Sequence, residues 1–225
     1  MPIFIWLSLV SFVVPLFLFP LFFGELMLGG LGKLHVSPKV AVALVLSIIV
    51  GGFINIPVKR LVREQDLIVH PFAVFGFSDL WSKLRYARRE TIIAVNVGGC
   101  LIPSGLAIYE FFYLAAAGWK VVGSAGVACV LNSIVCYIVA RPVPGTGIVM
   151  PGFLSAAVAA GLALLITPDQ TGPVAFIAGV IGPLVGADLL YLKDITKSAI
   201  GVASIGGAGT FDGIVLSGIV AAYLA

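Results

Sequence analysis

The chain has 225 residues, of which 60% are hydrophobic and only 10% charged, and its formal net charge is +3. Soluble domains carry about 25% charged residues, because roughly a quarter to a third of a water-facing surface is ionic. The composition excludes a soluble enzyme, a nucleic-acid binder and a disordered chain. It predicts a single integral membrane domain over 1–225, all-α and polytopic, with the lipid bilayer as its solvent.

Crossing about 30 Å of hydrocarbon takes about 20 apolar residues in a helix. That rule predicts seven transmembrane helices, at about 2–24, 39–57, 91–117, 119–140, 148–167, 173–192 and 207–225. The opening run, Met1 to Phe19, has no basic region and no small-residue cleavage site, so it reads as a retained first span. Between the second and third spans lies one polar segment, 58–90, with Lys59, Arg60, Arg63, Lys83, Arg85, Arg88 and Arg89 around Trp81 and Tyr86. Basic and aromatic residues favour the headgroup zone, so the segment is expected to form an interfacial amphipathic helix.

Placing 58–90 in the cytoplasm puts ten basic residues inside: the seven above with Arg141, Lys193 and Lys197. Lys33, Lys39 and Lys120 fall outside. This positive-inside bias predicts a cytoplasmic N-terminus and an outside C-terminus. Cys100, Cys129 and Cys136 lie in apolar stretches without metal-ligand spacing and read as small core residues. No metal and no cofactor is expected.

The 27 glycines and 13 prolines are too many for plain lipid-facing rods. Three glycine-rich interruptions stand out: Asn96-Val-Gly-Gly with Pro103, Arg141-Pro-Val-Pro-Gly-Thr-Gly ending at Pro151-Gly152, and Gly206-Gly-Ala-Gly-Thr-Phe-Asp-Gly213. Non-helical backbone at membrane depth is tolerated only where protein or a water-filled cavity satisfies it, so these are candidate walls of a site.

Ionisable residues inside spans are rare and usually functional. Glu64, Asp66, Asp79, Glu90, Asp169 and Asp194 fall in loops, and Glu25 and Glu110 are expected at the outer rim. Asp188 and Asp212 remain. Asp188 lies five residues before the basic loop, about 7 Å deep. Asp212 lies 13 residues before the last residue, which is about 20 Å below the outer face and about 10 Å from the inner one. The two carboxylates should meet on adjacent antiparallel spans. Gly179, Gly182 and Gly186 recur as one small-residue face for close packing, with Asp188 nearly opposite.

Two close carboxylates in a low-dielectric site cannot both ionise cheaply, so one proton is shared. The ionised member can deprotonate a water while the protonated one hydrogen-bonds a peptide carbonyl oxygen. No rival hydrolytic set exists: His35 and His70 read as loop residues on opposite sides of the membrane, and no HExxH helix, P-loop or nucleophile elbow occurs.

An Asp late in one span, then Gly-x-Gly shortly before a second Asp, resembles the diaspartyl intramembrane proteases of the presenilin and signal-peptide-peptidase class. The longer string Gly206 to Ile214, with Gly186-Ala-Asp-Leu-Leu190 and Asn96-Val-Gly-Gly99, more closely resembles a family of prokaryotic membrane proteins grouped by distant similarity with those proteases. The family motif has Asp directly after its second glycine, whereas Thr210 and Phe211 precede Asp212 here.

The resemblance implies a presenilin-like catalytic core over 91–225. Asp188 and Asp212 would be the catalytic acids, and Gly206, Gly207, Gly209 and Thr210 would shape the site. Pro142, Pro144, Gly145 and Gly147 would be substrate-facing. The substrate would be a transmembrane or membrane-associated peptide, and the location a prokaryotic inner membrane. Two alternatives use the same residues: a proton- or cation-coupled transporter or channel, and a non-catalytic membrane scaffold.

Overall fold

The computed structural model describes residues 22–66, 86–143, 147–192, 201–207 and 212–225. Seven α-helices dominate them: α1 (Phe22–Leu31), α2 (Pro38–Gly51), α3 (Ile102–Ala117), α4 (Trp119–Val139), α5 (Gly152–Ile166), α6 (Thr171–Pro183) and α7 (Gly213–Leu224). Two π-helical segments adjoin them, π1 (Val97–Leu101) leading into α3 and π2 (Leu184–Leu189) continuing α6. Among the described residues three continuous helical stretches are long and apolar enough to cross a membrane: Val97–Ala117, Trp119–Val139 and Pro168–Leu189. The helices α2, α5 and α7 fall at expected spans but are shorter, and the expected first span lies mostly outside the described residues.

Local chemistry sets the helix ends. Ser37 caps α2 by accepting from the Val40 N–H at 3.4 Å, with Pro38 in the first turn, where its missing donor costs nothing. Gly118 parts α3 from α4 at φ 136°, a backbone region that L side chains rarely adopt.

The α6 helix is the axis of the bundle. It packs against α3, α4, α5 and α7, and every residue from Gly172 to Val180 is buried. Its glycines make that possible, although they serve two neighbours and not one face. A Cβ at Gly179 would lie 2.7 Å from the Ser217 carbonyl oxygen of α7, while Gly182 and Gly186 press on Asn132, Ser133 and Cys136 of α4. In lipid, close backbone approach of this kind replaces the hydrophobic effect as the cause of helix association. Outward positions are apolar, with Phe112, Ile138, Phe153 and Leu165 between 68% and 84% exposed, a surface suited to acyl chains and not to water.

A buried polar knot fastens four helices. Asn132 of α4 donates to Ser155 Oγ on α5 at 3.1 Å and to the Ala178 carbonyl on α6 at 2.8 Å. Ser217 of α7 donates to Ser155 Oγ at 2.8 Å. Each such bond contributes about 0.6 kcal/mol between membrane helices.

The expected all-α architecture requires correction. Strands β1 (Asn55–Asp66), β2 (Tyr86–Asn96) and β5 (Gly201–Ile205) form a sheet of order β1-β2-β5, antiparallel for the first pair and parallel for the second. The expected amphipathic helix at 58–90 is therefore strand over 58–66 and 86–90, and 67–85 lies outside the described residues. Likewise the expected span from 91 opens in extended conformation. The run Thr91-Ile-Ile-Ala-Val95, rich in β-branched residues, favours a strand, and β1 on one side and β5 on the other supply its partners. Pro57 sits where the β1 register shifts, on an edge strand, a position where its lack of an N–H is tolerated. A second ribbon pairs β3 (Arg141–Val143) with β4 (Gly147–Val149).

Candidate functional site

Both acids stand at interruptions of regular helix. Asp188 lies on π2, directly after Pro183, whose ring removes a backbone donor from the helix. π-Helical turns frequently accompany functional sites, because they rotate the following side chains off the ordinary helical face. Asp212 is the N-cap of α7, where its Oδ1 accepts from the Ile214 N–H at 3.0 Å. Asp188 is within electrostatic reach of Asp212, and its carboxylate accepts a hydrogen bond from the Gly206 N–H.

Gly206 belongs to the turn that ends β5. Its φ of 70° is a left-handed value, and a Cβ there would lie 2.7 Å from the Gly99 carbonyl carbon and 2.8 Å from Cys100 N and Cβ. Both requirements call for glycine. The turn thus lies directly on π1, and Cys100 of π1 is in turn within electrostatic reach of Asp188 and Asp212. On the first turn of α3, Ser104 buries its hydroxyl without a hydrogen-bonding oxygen or nitrogen, and the polar group beside it is the Cys100 thiol. The site is built where two π segments, one glycine turn and one helix N-terminus converge.

The remaining site residues expected from sequence divide. Gly207 follows Gly206 in the turn, exposed, its N–H bonded to the Ser204 carbonyl at 3.1 Å. Gly209 and Thr210 lie outside the described residues, as do Pro144 and Gly145. Pro142 and Gly147 are in the β3–β4 ribbon, paired with Ile148 and Val143. The chain just after that ribbon touches the acid helix: Met150 Cε lies 3.5 Å from where a Gly213 Cβ would be. Cys100 and Ser104 were not expected at the site. The only sequence signal was their position within and after the Asn96-Val-Gly-Gly interruption.

Among the described residues no group of three His, Cys, Asp or Glu side chains could hold a metal ion. The donor set at the acid pair is two carboxylates, a thiol and a backbone N–H, which suits proton transfer.

Glu110 departs from its expected rim position. Glu25 is exposed, but Glu110 is fully buried. Its carboxylate accepts from the His35 N–H at 3.0 Å and lies 2.9 Å from His35 Nδ1. The imidazole stacks on Tyr113 with ring centroids 3.6 Å apart, and Tyr109 donates its hydroxyl to the His35 carbonyl at 2.9 Å. This cluster ties the α1–α2 loop to α3. Replacing His35 with alanine leaves a buried carboxylate short of a partner, which costs about 1–3 kcal/mol. At about 2–4 °C per kcal/mol for a chain of this size, His35→Ala should melt clearly below the parent in detergent. Glu25→Gln, at an exposed position, should melt with the parent. Equal melting of all three would remove the cluster's structural role.

Residues 49–224 match the family described as Protein of unknown function (DUF1614), and the chain belongs to that family. No curated protein and no solved structure matches it.

Proposed function

We propose that the protein is an intramembrane aspartyl protease, hydrolysing a peptide bond of a membrane-embedded substrate with the Asp188–Asp212 pair and a water. The observation that carries the reading is that two carboxylates within electrostatic reach of each other stand at breaks in otherwise apolar helices, with the Gly206 N–H on one of them. The ionised acid removes a proton from the water, whose oxygen adds to the scissile carbonyl carbon. The protonated acid gives its proton to the carbonyl oxygen, and the carboxylates then return a proton to the leaving nitrogen as the C–N bond breaks.

A substrate helix must unwind before its peptide bond is accessible. β5 leads towards Asp212, and among the described residues it pairs only with β2. An extended peptide could add along its other edge through main-chain hydrogen bonds. The β3–β4 ribbon would then guard the other side of the site through Met150.

The same acids beside irregular backbone would also serve a proton- or cation-coupled transporter. Reconstitution into liposomes separates the two. The protease reading requires cleavage of a transmembrane reporter peptide that is absent without the protein. Flux that depends on both acids, with no cleavage, would instead establish transport.

We further propose that the chain sits in a prokaryotic inner membrane with its N-terminus and the 58–90 segment cytoplasmic and its C-terminus outside. Ten basic residues fall on the proposed inner side against three on the outer, and among the described residues five α-helices follow residue 63, three of them in stretches of crossing length. Cysteines introduced at Arg63 and Ala225 should therefore be labelled by an impermeant reagent from opposite sides. Labelling of both from one side would refute this orientation.

A further inference from the structure

Asn96 is fully buried, a costly position for a primary amide unless its donors and acceptor are satisfied. They are. Its Nδ2 donates to the Gly52 carbonyl at 2.8 Å and to Asn55 Oδ1 at 3.1 Å, and its Oδ1 accepts from the Gly99 N–H at 2.7 Å. Ser204 Oγ completes the network by donating to Asn55 Oδ1 at 2.5 Å. One side chain thus joins the end of α2, the start of β1, π1 and, through Asn55, β5.

The parts it joins lead to the acids. The Gly99 N–H that Asn96 holds belongs to the turn on which Gly206 rests, with Gly99 and Cys100 the nearest atoms to any Cβ at Gly206. Gly98, the preceding residue, packs against Ile48, Gly51 and Gly52 of the α2 end so closely that a side chain would collide with their backbone. Ser204 lies two residues before Gly206. Asn96 therefore fixes the Gly206 turn from below, through π1, and from behind, through β5.

We propose that Asn96 is a positioning residue for the acid pair, holding π1 and β5 in the one arrangement that presents the Gly206 N–H to Asp188. It touches neither substrate nor either acid. The inference deepens the protease reading and rests on it for any effect on cleavage.

The test uses the full chain in liposomes and two readouts. The first is the pH titration of the protonated-carboxyl infrared band, assigned by its loss in Asp188→Asn. This band reports the Asp188 environment, in which Asp212 and Cys100 are the other titratable groups among the described residues, whether or not the protein cleaves anything. The second is cleavage of the reporter, resolved into kcat and KM. Asn96→Ala should displace the titration midpoint and lower kcat by about 100-fold, as expected for a displacement near 1 Å, with KM little changed. Asn96→Ser keeps an oxygen able to cap the Gly99 N–H but loses the Nδ2 donors to Gly52 and Asn55, and should recover part of both. Thr171→Ala removes a hydrogen bond to the Ala225 carbonyl at 3.1 Å, far along the chain from either acid, and should leave both readouts unchanged.

If Asn96→Ala does not accumulate, Asn55→Ala and Ser204→Ala carry the comparison, each displacing the midpoint by less. An unmoved midpoint in these variants, or an equal shift in Thr171→Ala, overturns the positioning role. A displaced midpoint in a protein whose parent never cleaves the reporter supports the positioning and sinks the protease reading alone.

Discussion

Asp188→Asn and Asp212→Asn should each abolish reporter cleavage while the protein remains folded in the membrane. Positioned acid–base groups contribute about 10²–10⁴-fold each, so either loss should take turnover below detection. Asparagine separates chemistry from structure at both positions. At 212 it caps a helix about as well as aspartate, so α7 keeps its acceptor for the Ile214 N–H. At 188 it keeps an oxygen for the Gly206 N–H but cannot exchange the catalytic proton. The double variant should be scarcely worse than either single one, because members of one catalytic unit are not additive. The parent's activity should be bell-shaped in pH, rising as the first proton leaves the pair and falling as the second does. The two limbs belong to the pair and not to either residue. A monotonic profile, or measurable cleavage by a single variant, would contradict the assignment.

Gly206→Val should be nearly as damaging by another route. A non-glycine residue at φ 70° costs about 1–2 kcal/mol, and the new Cβ would sit 2.7–2.8 Å from the Gly99–Cys100 backbone. The turn must move away from π1, carrying its N–H from Asp188. A fall in kcat of about 100-fold is expected, beyond any loss of folded yield. Gly207→Val should be milder, since Gly207 is exposed and has no positive φ, although its Cβ would approach the Ser204 carbonyl oxygen to 2.8 Å. Rates measured per folded molecule, with yield judged by size-exclusion profile, check the order. Equal activity of the two variants with the parent would reduce the segment to a connecting loop.

The acids were legible because charge is rare in this sequence. Asp188 and Asp212 stood out in apolar stretches, and counting residues at the helical rise put them at one depth. The glycines of α6 were legible for a related reason, since small residues at helical spacing mark close packing. What the linear pattern could not carry was pairing. The hydrophobicity of Thr91 to Val95 fits a span start and a buried strand equally well, and its partners, β1 about thirty residues earlier and β5 more than a hundred later, make it a strand. The basic residues at 58–66 suggested a headgroup helix, but their partner is β2. Glu110 was misplaced because its partner, His35, is 75 residues away in sequence. Cys100 read correctly as buried and small. Its place beside the acids depends on π1, a backbone irregularity that composition does not announce.

The most direct measurement of the central claim is cleavage of a transmembrane reporter peptide by the purified protein in liposomes made up in heavy-oxygen water, with products read by mass spectrometry. The account predicts cleavage within the membrane-embedded stretch, one heavy oxygen in the new carboxyl terminus, and no product from Asp188→Asn or Asp212→Asn. An intact reporter with the parent protein, alongside proton or cation flux lost in both variants, would contradict it and make the acid pair a transport site.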